Sequence, residues 1–180
     1  RVEDIHWAFS DPECKAVFCT RGGYGSAMLL DKLDYSLIRR NPKILLGYSD
    51  ITALHLAIHR AASLVTIHGP TPLDSYSDYT FNLLKRALFE TQPLGTLANP
   101  PETNPLQLKR VTRTLRPGIA RGPLVGGNLT LISTTMGTPW EIQTDGKILF
   151  LEGVGEQPRS LDRMLTQPGL AGKFRKIKGL

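Results

Sequence analysis

The chain has 180 residues, 41% of them apolar and 21% charged, enough for a sizeable core in one domain or slightly more. No stretch of about 18 apolar residues is present, which excludes a transmembrane helix. Two cysteines, Cys14 and Cys19, suit reduced thiols of the cytosol and exclude a disulfide framework or a cysteine zinc site. The net charge of +6 lies wholly in the second part: residues 1–100 hold 10 basic and 10 acidic side chains, residues 101–180 hold 12 and 6. Lys109, Arg110, Arg113, Arg116 and Arg121 form one basic cluster and the C-terminal residues another. No aromatic residue interleaves the first cluster, so a loop facing an anionic small substrate fits it better than a nucleic-acid surface.

Val2 to Phe9 reads as the end of an amphipathic helix stopped by Ser10-Asp11-Pro12, and Lys15 to Thr20 as a short apolar strand. Arg21-Gly22-Gly23-Tyr24-Gly25-Ser26 follows directly and leads into helical Ala27-Met28-Leu29-Leu30. Glycines at such a junction let backbone N–H groups turn toward a ligand or an oxyanion. The run is neither a dinucleotide fingerprint, for it lacks the third glycine, nor a Walker loop, for no Gly-Lys-Ser/Thr follows.

After the Asn41-Pro42 turn signal, Lys43 to Leu46 reads as a buried strand running into a helix. Ser49 sits at their junction, two residues after Gly47, as on a nucleophile elbow. The usual fifth-position glycine is Ile51 here, and by spacing alone Ser49 is more readily a helix N-cap with Asp50 in the first turn. His55 and His59 stand at i and i+4, but Leu56 occupies the place of the zinc-peptidase glutamate, which favours packing over metal binding.

Leu64 to Ile67 is a further expected strand, ended by His68-Gly69-Pro70. His68 is either a partner for Ser49 or a strand-end histidine held by backbone hydrogen bonds. Phe81 to Phe89 reads as a helix, and prolines then break the pattern from Thr91 to Pro123. Gly126-Gly127-Asn128 opens a helix through Leu129, Leu131 and Ile132, closed by Gly137 and Pro139. Lys147 to Leu151 reads as a strand delivering Glu152 at its carboxyl end, and Arg159 to Thr166 as a helix. The alternation predicts an α/β fold, a parallel sheet with helices on both faces plus a smaller mixed C-terminal domain. The expected boundaries are 1–95 for the first domain, 96–122 for a linker and substrate loop, and 123–180 for the second. In such sheets working loops lie at the carboxyl ends of strands, where both the 21–26 and 47–50 loops fall.

In this order, Arg21–Ser26, Asn41-Pro42-Lys43 with Gly47–Leu54, His68-Gly69-Pro70, Gly126–Leu129, and Ile148–Glu152 with Asp162–Leu165 resemble the LD-carboxypeptidase family of serine peptidases. That family includes the microcin C self-immunity peptidases. The resemblance implies a Ser–Glu–His triad with Ser49 as nucleophile and Glu152 as the acid orienting the histidine. It also implies an oxyanion hole from the N–H groups of Gly22 or Gly23 and of Asp50, no metal or organic cofactor, and a homodimer. The implied substrate is the L,D bond to the terminal D-alanine of cytoplasmic murein tetrapeptides. The alternatives are peptidyl or aminoacyl nucleotides, or, without a base, non-catalytic binding of wall peptides. Thr91–Pro123 lacks the aromatic residues that nucleotide stacking would use, which favours murein. Nucleic-acid and membrane partners are not expected. The family's histidine follows the glutamate, yet no histidine follows His68 here. The chain is therefore expected to be a piece missing both ends of the family pattern, nearly inactive alone, its triad histidine lying beyond Leu180.

Overall fold

The computed structural model describes residues 1–99 and 113–180. It is an α/β fold, with five strands in two parallel sheets among the described residues. In the first sheet β1 (Ala16–Phe18), β2 (Ile44–Gly47) and β3 (Ile67–His68) lie in that order. Leu45 pairs with Val17, and Gly47 pairs with His68. β4 (Leu124–Asn128) and β5 (Ile148–Glu152) form the second sheet, in a register that sets Asn128 against Glu152.

Helix α1 (Val2–Ser10) precedes β1, and α2 (Tyr35–Arg40) opens on Asp34, whose carboxylate accepts the Leu37 N–H at 2.9 Å. The helix expected from Ala27 is instead a 3-10 helix over Ser26–Lys32. Its preceding residue, Gly25, has φ 102, a conformation that favours a residue without Cβ.

Helix α3 (Thr52–Ala62) is the central element, and every residue from Thr52 to Ile58 is buried. A helix apolar all round must be covered on more than one side. Leu54, Ala57 and Ile58 pack with Phe9, Leu30, Ile38 and Leu45 in one core, whereas Leu56 joins Val125, Ile132, Ile142 and Leu149 in another. The same helix thus binds the two sheets into one body.

Residues 124–128 correct the expected helix opening. They are strand, and α5 (Leu129–Thr134) begins only after Asn128, whose side-chain oxygen accepts the N–H groups of Thr130 and Leu131. A methyl on Gly127 would lie 2.6 Å from Thr52 Oγ1, so glycine there serves close approach of β4 to α3. β3 is also shorter than expected, covering only Ile67 and His68. Helix α6 (Pro158–Leu170) completes this part.

The chain divides into two compact units, Arg1–Asp74 with Ala120–Leu180, and Ser75–Ile119. The second contains α4 (Asp78–Phe89), capped by Ser77, whose hydroxyl accepts the Thr80 N–H. Lys109 and Arg110 of the basic cluster lie outside the described residues, as does part of the expected 96–122 loop; Arg113, Arg116 and Arg121 are exposed.

Candidate active site

Strand β2 ends in Gly47, and the chain reverses at once into a 3-10 turn over Ser49–Ile51 that continues as α3. Ser49 takes φ 58, the left-handed region that a residue with Cβ seldom adopts. Such conformations persist where surrounding packing over-determines them, and they concentrate at functional sites. The N-cap position belongs to Tyr48, and no side-chain capping bond forms there, so Ser49 is not the helix cap that its spacing allowed. Ile51 accounts for the departure from the usual elbow. Its branches fill the space beside Gly47, where a methyl would come within 2.9 Å of them.

The glycine-rich loop lies against this serine. A methyl on Gly22 would sit 2.9 Å from Ser49 Cβ and 3.2 Å from its Oγ, so the Gly22 backbone packs on the hydroxyl-bearing side chain. The loop's far end is tied to the same elbow, for the Ser26 N–H donates to the buried Asp50 carboxylate at 2.9 Å. Gly23 has φ 127, and a methyl there would have the Arg21 guanidinium, 4.0 Å away, as its neighbour.

Glu152 arrives from the other sheet. Its register partner Asn128 donates its backbone N–H to the hydroxyl of fully buried Thr52 at 2.9 Å. Thr52 is the first residue of α3 and follows Ser49 by three positions. The pairing partner of the strand bearing the carboxylate, β4, is therefore docked onto the helix that the serine precedes. Glu152 Oε1 is buried without a hydrogen-bond partner.

The histidines divide by environment. His55 is buried, its Nε2 is 2.9 Å from the Gly47 carbonyl, and burial lowers its pKa to about 4. It packs inside the elbow. Among the described residues no three His, Cys, Asp or Glu side chains are grouped to hold a metal ion. His68 stacks edge-on against Phe150 with ring centroids 5.2 Å apart, and lies 5.9 Å from the His55 ring. Its Nδ1 is buried and unpartnered, contrary to the expectation of a histidine held by backbone hydrogen bonds. Burial lowers the His68 pKa, and the Glu152 carboxylate opposes that shift. Among the described residues no histidine hydrogen-bonds the Ser49 hydroxyl.

One contact had no signal in the local sequence. The Tyr48 hydroxyl donates to Asp74 Oδ1 at 3.1 Å, while Asp74 Oδ2 accepts from the Thr71 hydroxyl at 2.9 Å and from the Thr71 N–H. The bond to Asp74, with burial and the negative charges of Asp74 and Glu152, raises the Tyr48 pKa. The turn after His68 is thereby latched to the residue before the serine. Only the Asp74-to-Thr71 spacing hints at part of this, as a turn with a side-chain acceptor.

A hydroxyl on a strained turn, a glycine backbone packed on its side chain and a carboxylate on the strand paired to β4 are parts that acyl-transfer chemistry through a covalent serine intermediate can use. Comparison with known proteins identifies the family. Residues 1–69 match the LD-carboxypeptidase N-terminal domain and residues 121–180 the LD-carboxypeptidase C-terminal domain. The chain is 44% identical over its whole length to a probable murein peptide carboxypeptidase of Bacillus subtilis, covering 55% of that protein. It is 36% identical to the murein tetrapeptide carboxypeptidase of Pseudomonas aeruginosa, with 93% of this chain and 54% of that protein aligned. An MccF-like protein from Bacillus anthracis superposes with a TM-score of 0.84 at 34% identity, over 98% of this chain and 59% of that structure. The chain thus spans little more than half the length of the curated relatives that it matches.

Proposed function

The chain belongs to the LD-carboxypeptidase family, and on that premise we propose that the protein carrying it is a serine carboxypeptidase acting on murein tetrapeptides. In this reading it removes the terminal D-alanine by cleaving the L,D peptide bond, in the cytoplasm. The observation that carries it is the left-handed Ser49 with Gly22 packed on its side chain.

The chemistry runs as follows in this proposal. Ser49 Oγ attacks the carbonyl carbon of the scissile bond while a histidine base takes its proton. The oxyanion is held by N–H groups of the Gly22–Gly23 loop and of Asp50, donors already fixed before the reaction. The histidine returns the proton to the departing D-alanine nitrogen, and a water activated by the same base then hydrolyses the acyl-serine. Glu152 keeps that imidazole in the useful tautomer. The base is assigned to a histidine beyond Leu180 because the family resemblance implies a triad histidine that follows the glutamate; His55 is engaged with Gly47 and His68 lies beside Phe150. Arg113, Arg116 and Arg121, with their neighbours in the 96–122 loop, are proposed to attract the peptide's carboxylates. The family resemblance supports a homodimer as the assembly.

The likeness to the MccF-like protein supports a second reading, hydrolysis of a peptidyl or aminoacyl nucleotide. Tyr24, 80% exposed on the loop that contacts Ser49, is an aromatic face on which a base can stack. The test is to supply the full-length protein with murein tetrapeptide and, separately, with an aminoacyl nucleotide. Release of D-alanine with no turnover of the nucleotide supports the murein reading; the reverse pattern selects the second. The 180-residue chain alone should release neither product at a measurable rate.

A further inference from the structure

Among the described residues three buried side-chain atoms lack a hydrogen-bond partner: His55 Nδ1, His68 Nδ1 and Glu152 Oε1. They belong to one neighbourhood. His55 and His68 are ring neighbours, and His68 packs on Phe150, which stands two positions before Glu152 on β5. Buried polar groups are nearly always satisfied, so three together point to one shared arrangement.

Donor and acceptor chemistry says which arrangement. The Gly47 carbonyl can only accept, so His55 Nε2 carries a proton and its Nδ1 is an acceptor in the neutral ring. A carboxylate oxygen is also an acceptor. His68 is thus the one member of the three able to donate, and a charged oxygen is a stronger acceptor than a ring nitrogen.

We infer that His68 is a positioning residue for Glu152, donating a hydrogen bond to its buried Oε1 through one bridging water. The inference rests on the triad role proposed for Glu152. With Oε1 held from behind, the other carboxylate oxygen is left to orient the triad imidazole. Three titratable groups surround His68: Tyr48 from the elbow, His55 from α3 and Glu152 from β5. Tyr48 is turned to Asp74 and His55 to Gly47, which leaves Glu152 as the anion acting on it. Burial keeps the imidazole neutral at neutral pH, so it donates without forming an ion pair that would compete with the triad.

The test uses the full-length protein with His68→Phe, His68→Asn, Glu152→Gln and Ser49→Ala. His68→Phe preserves a ring against Phe150 but has no donor, and should lower kcat by about 10- to 100-fold with KM changed less than about twofold, as loss of an outer hydrogen-bond partner does elsewhere. His68→Asn carries an N–H close to the place of Nδ1 and should recover most of that loss. An unchanged kcat in His68→Phe, or an Asn variant as slow as Phe, overturns the inference. If wild type releases no D-alanine, or Ser49→Ala still does, the functional reading fails instead. A second readout needs no substrate and no folded His68→Phe variant: NMR titration of 13C-labelled histidines, with the His68 signal assigned from the Asn variant. Glu152→Gln removes the neighbouring carboxylate and should lower the His68 pKa; an unmoved pKa overturns the inference on its own.

Discussion

Gly22 and Ser49 are in direct van der Waals contact, close enough that a methyl on Gly22 would stand 2.9 Å from Ser49 Cβ. Two segments 27 positions apart in sequence thereby share one small volume at the carboxyl edge of β1 and β2. Gly22→Ala must push the loop or the serine aside by several tenths of an ångström. The expected result is a fall in kcat of about 10- to 100-fold with a smaller change in KM, since the oxyanion donors proposed for this loop would act on the transition state. Steady-state kinetics on the full-length variant, with its Tm as a control for folding, checks this.

Thr52 and Asn128 make the second long-range contact. Thr52→Val keeps the shape but strands the Asn128 N–H in a buried place, which costs about 1–3 kcal/mol. Denaturant unfolding should show that loss. Activity should fall as well, because β4 carries the register partner of Glu152.

His55 links stability to pH. Unfolded, a histidine takes up its proton near pH 6.5, whereas the folded protein resists until about 4. The unfolded state therefore binds more protons in that window. Stability is intact above about 6.5, declines as pH falls toward 4, and levels off below, a total of roughly 3 kcal/mol from this group. His55→Gln retains a donor for the Gly47 carbonyl but does not titrate. Unfolding free energies at pH 7, 5.5 and 4 should show a shallower decline in the variant than in wild type.

Tyr48→Phe removes the bond to Asp74 while Thr71 still holds that carboxylate. Partial exposure limits the loss to about 1 kcal/mol. A drop in Tm of a few degrees, with faster amide exchange at 69–74, is the expected signature.

The strand leading to Ser49 and the strand bearing Glu152 could be read in advance because each is a short apolar run ended by a turn or a charge. Strand β4 could not. Gly126-Gly127 looks like punctuation locally, and its use appears only when Thr52, more than 70 positions earlier, is packed on it. The 3-10 form of Ser26–Lys32 was likewise hidden, because its apolar spacing fits either helix type. For His68 the sequence offered two roles, and neither anticipated a ring against Phe150 with a buried free nitrogen. Ser49 remained open between cap and elbow until its backbone angle was known. What local pattern cannot supply in each case is the identity of a distant neighbour.

The central claim is that Ser49 is the nucleophile, and the most direct measurement is D-alanine release from murein tetrapeptide by the full-length protein and its Ser49→Ala variant at equal concentration. The account predicts a loss in kcat on the order of 10⁴-fold or more in the variant, with substrate still bound. A Ser49→Ala protein that kept even a tenth of the wild-type rate would contradict it.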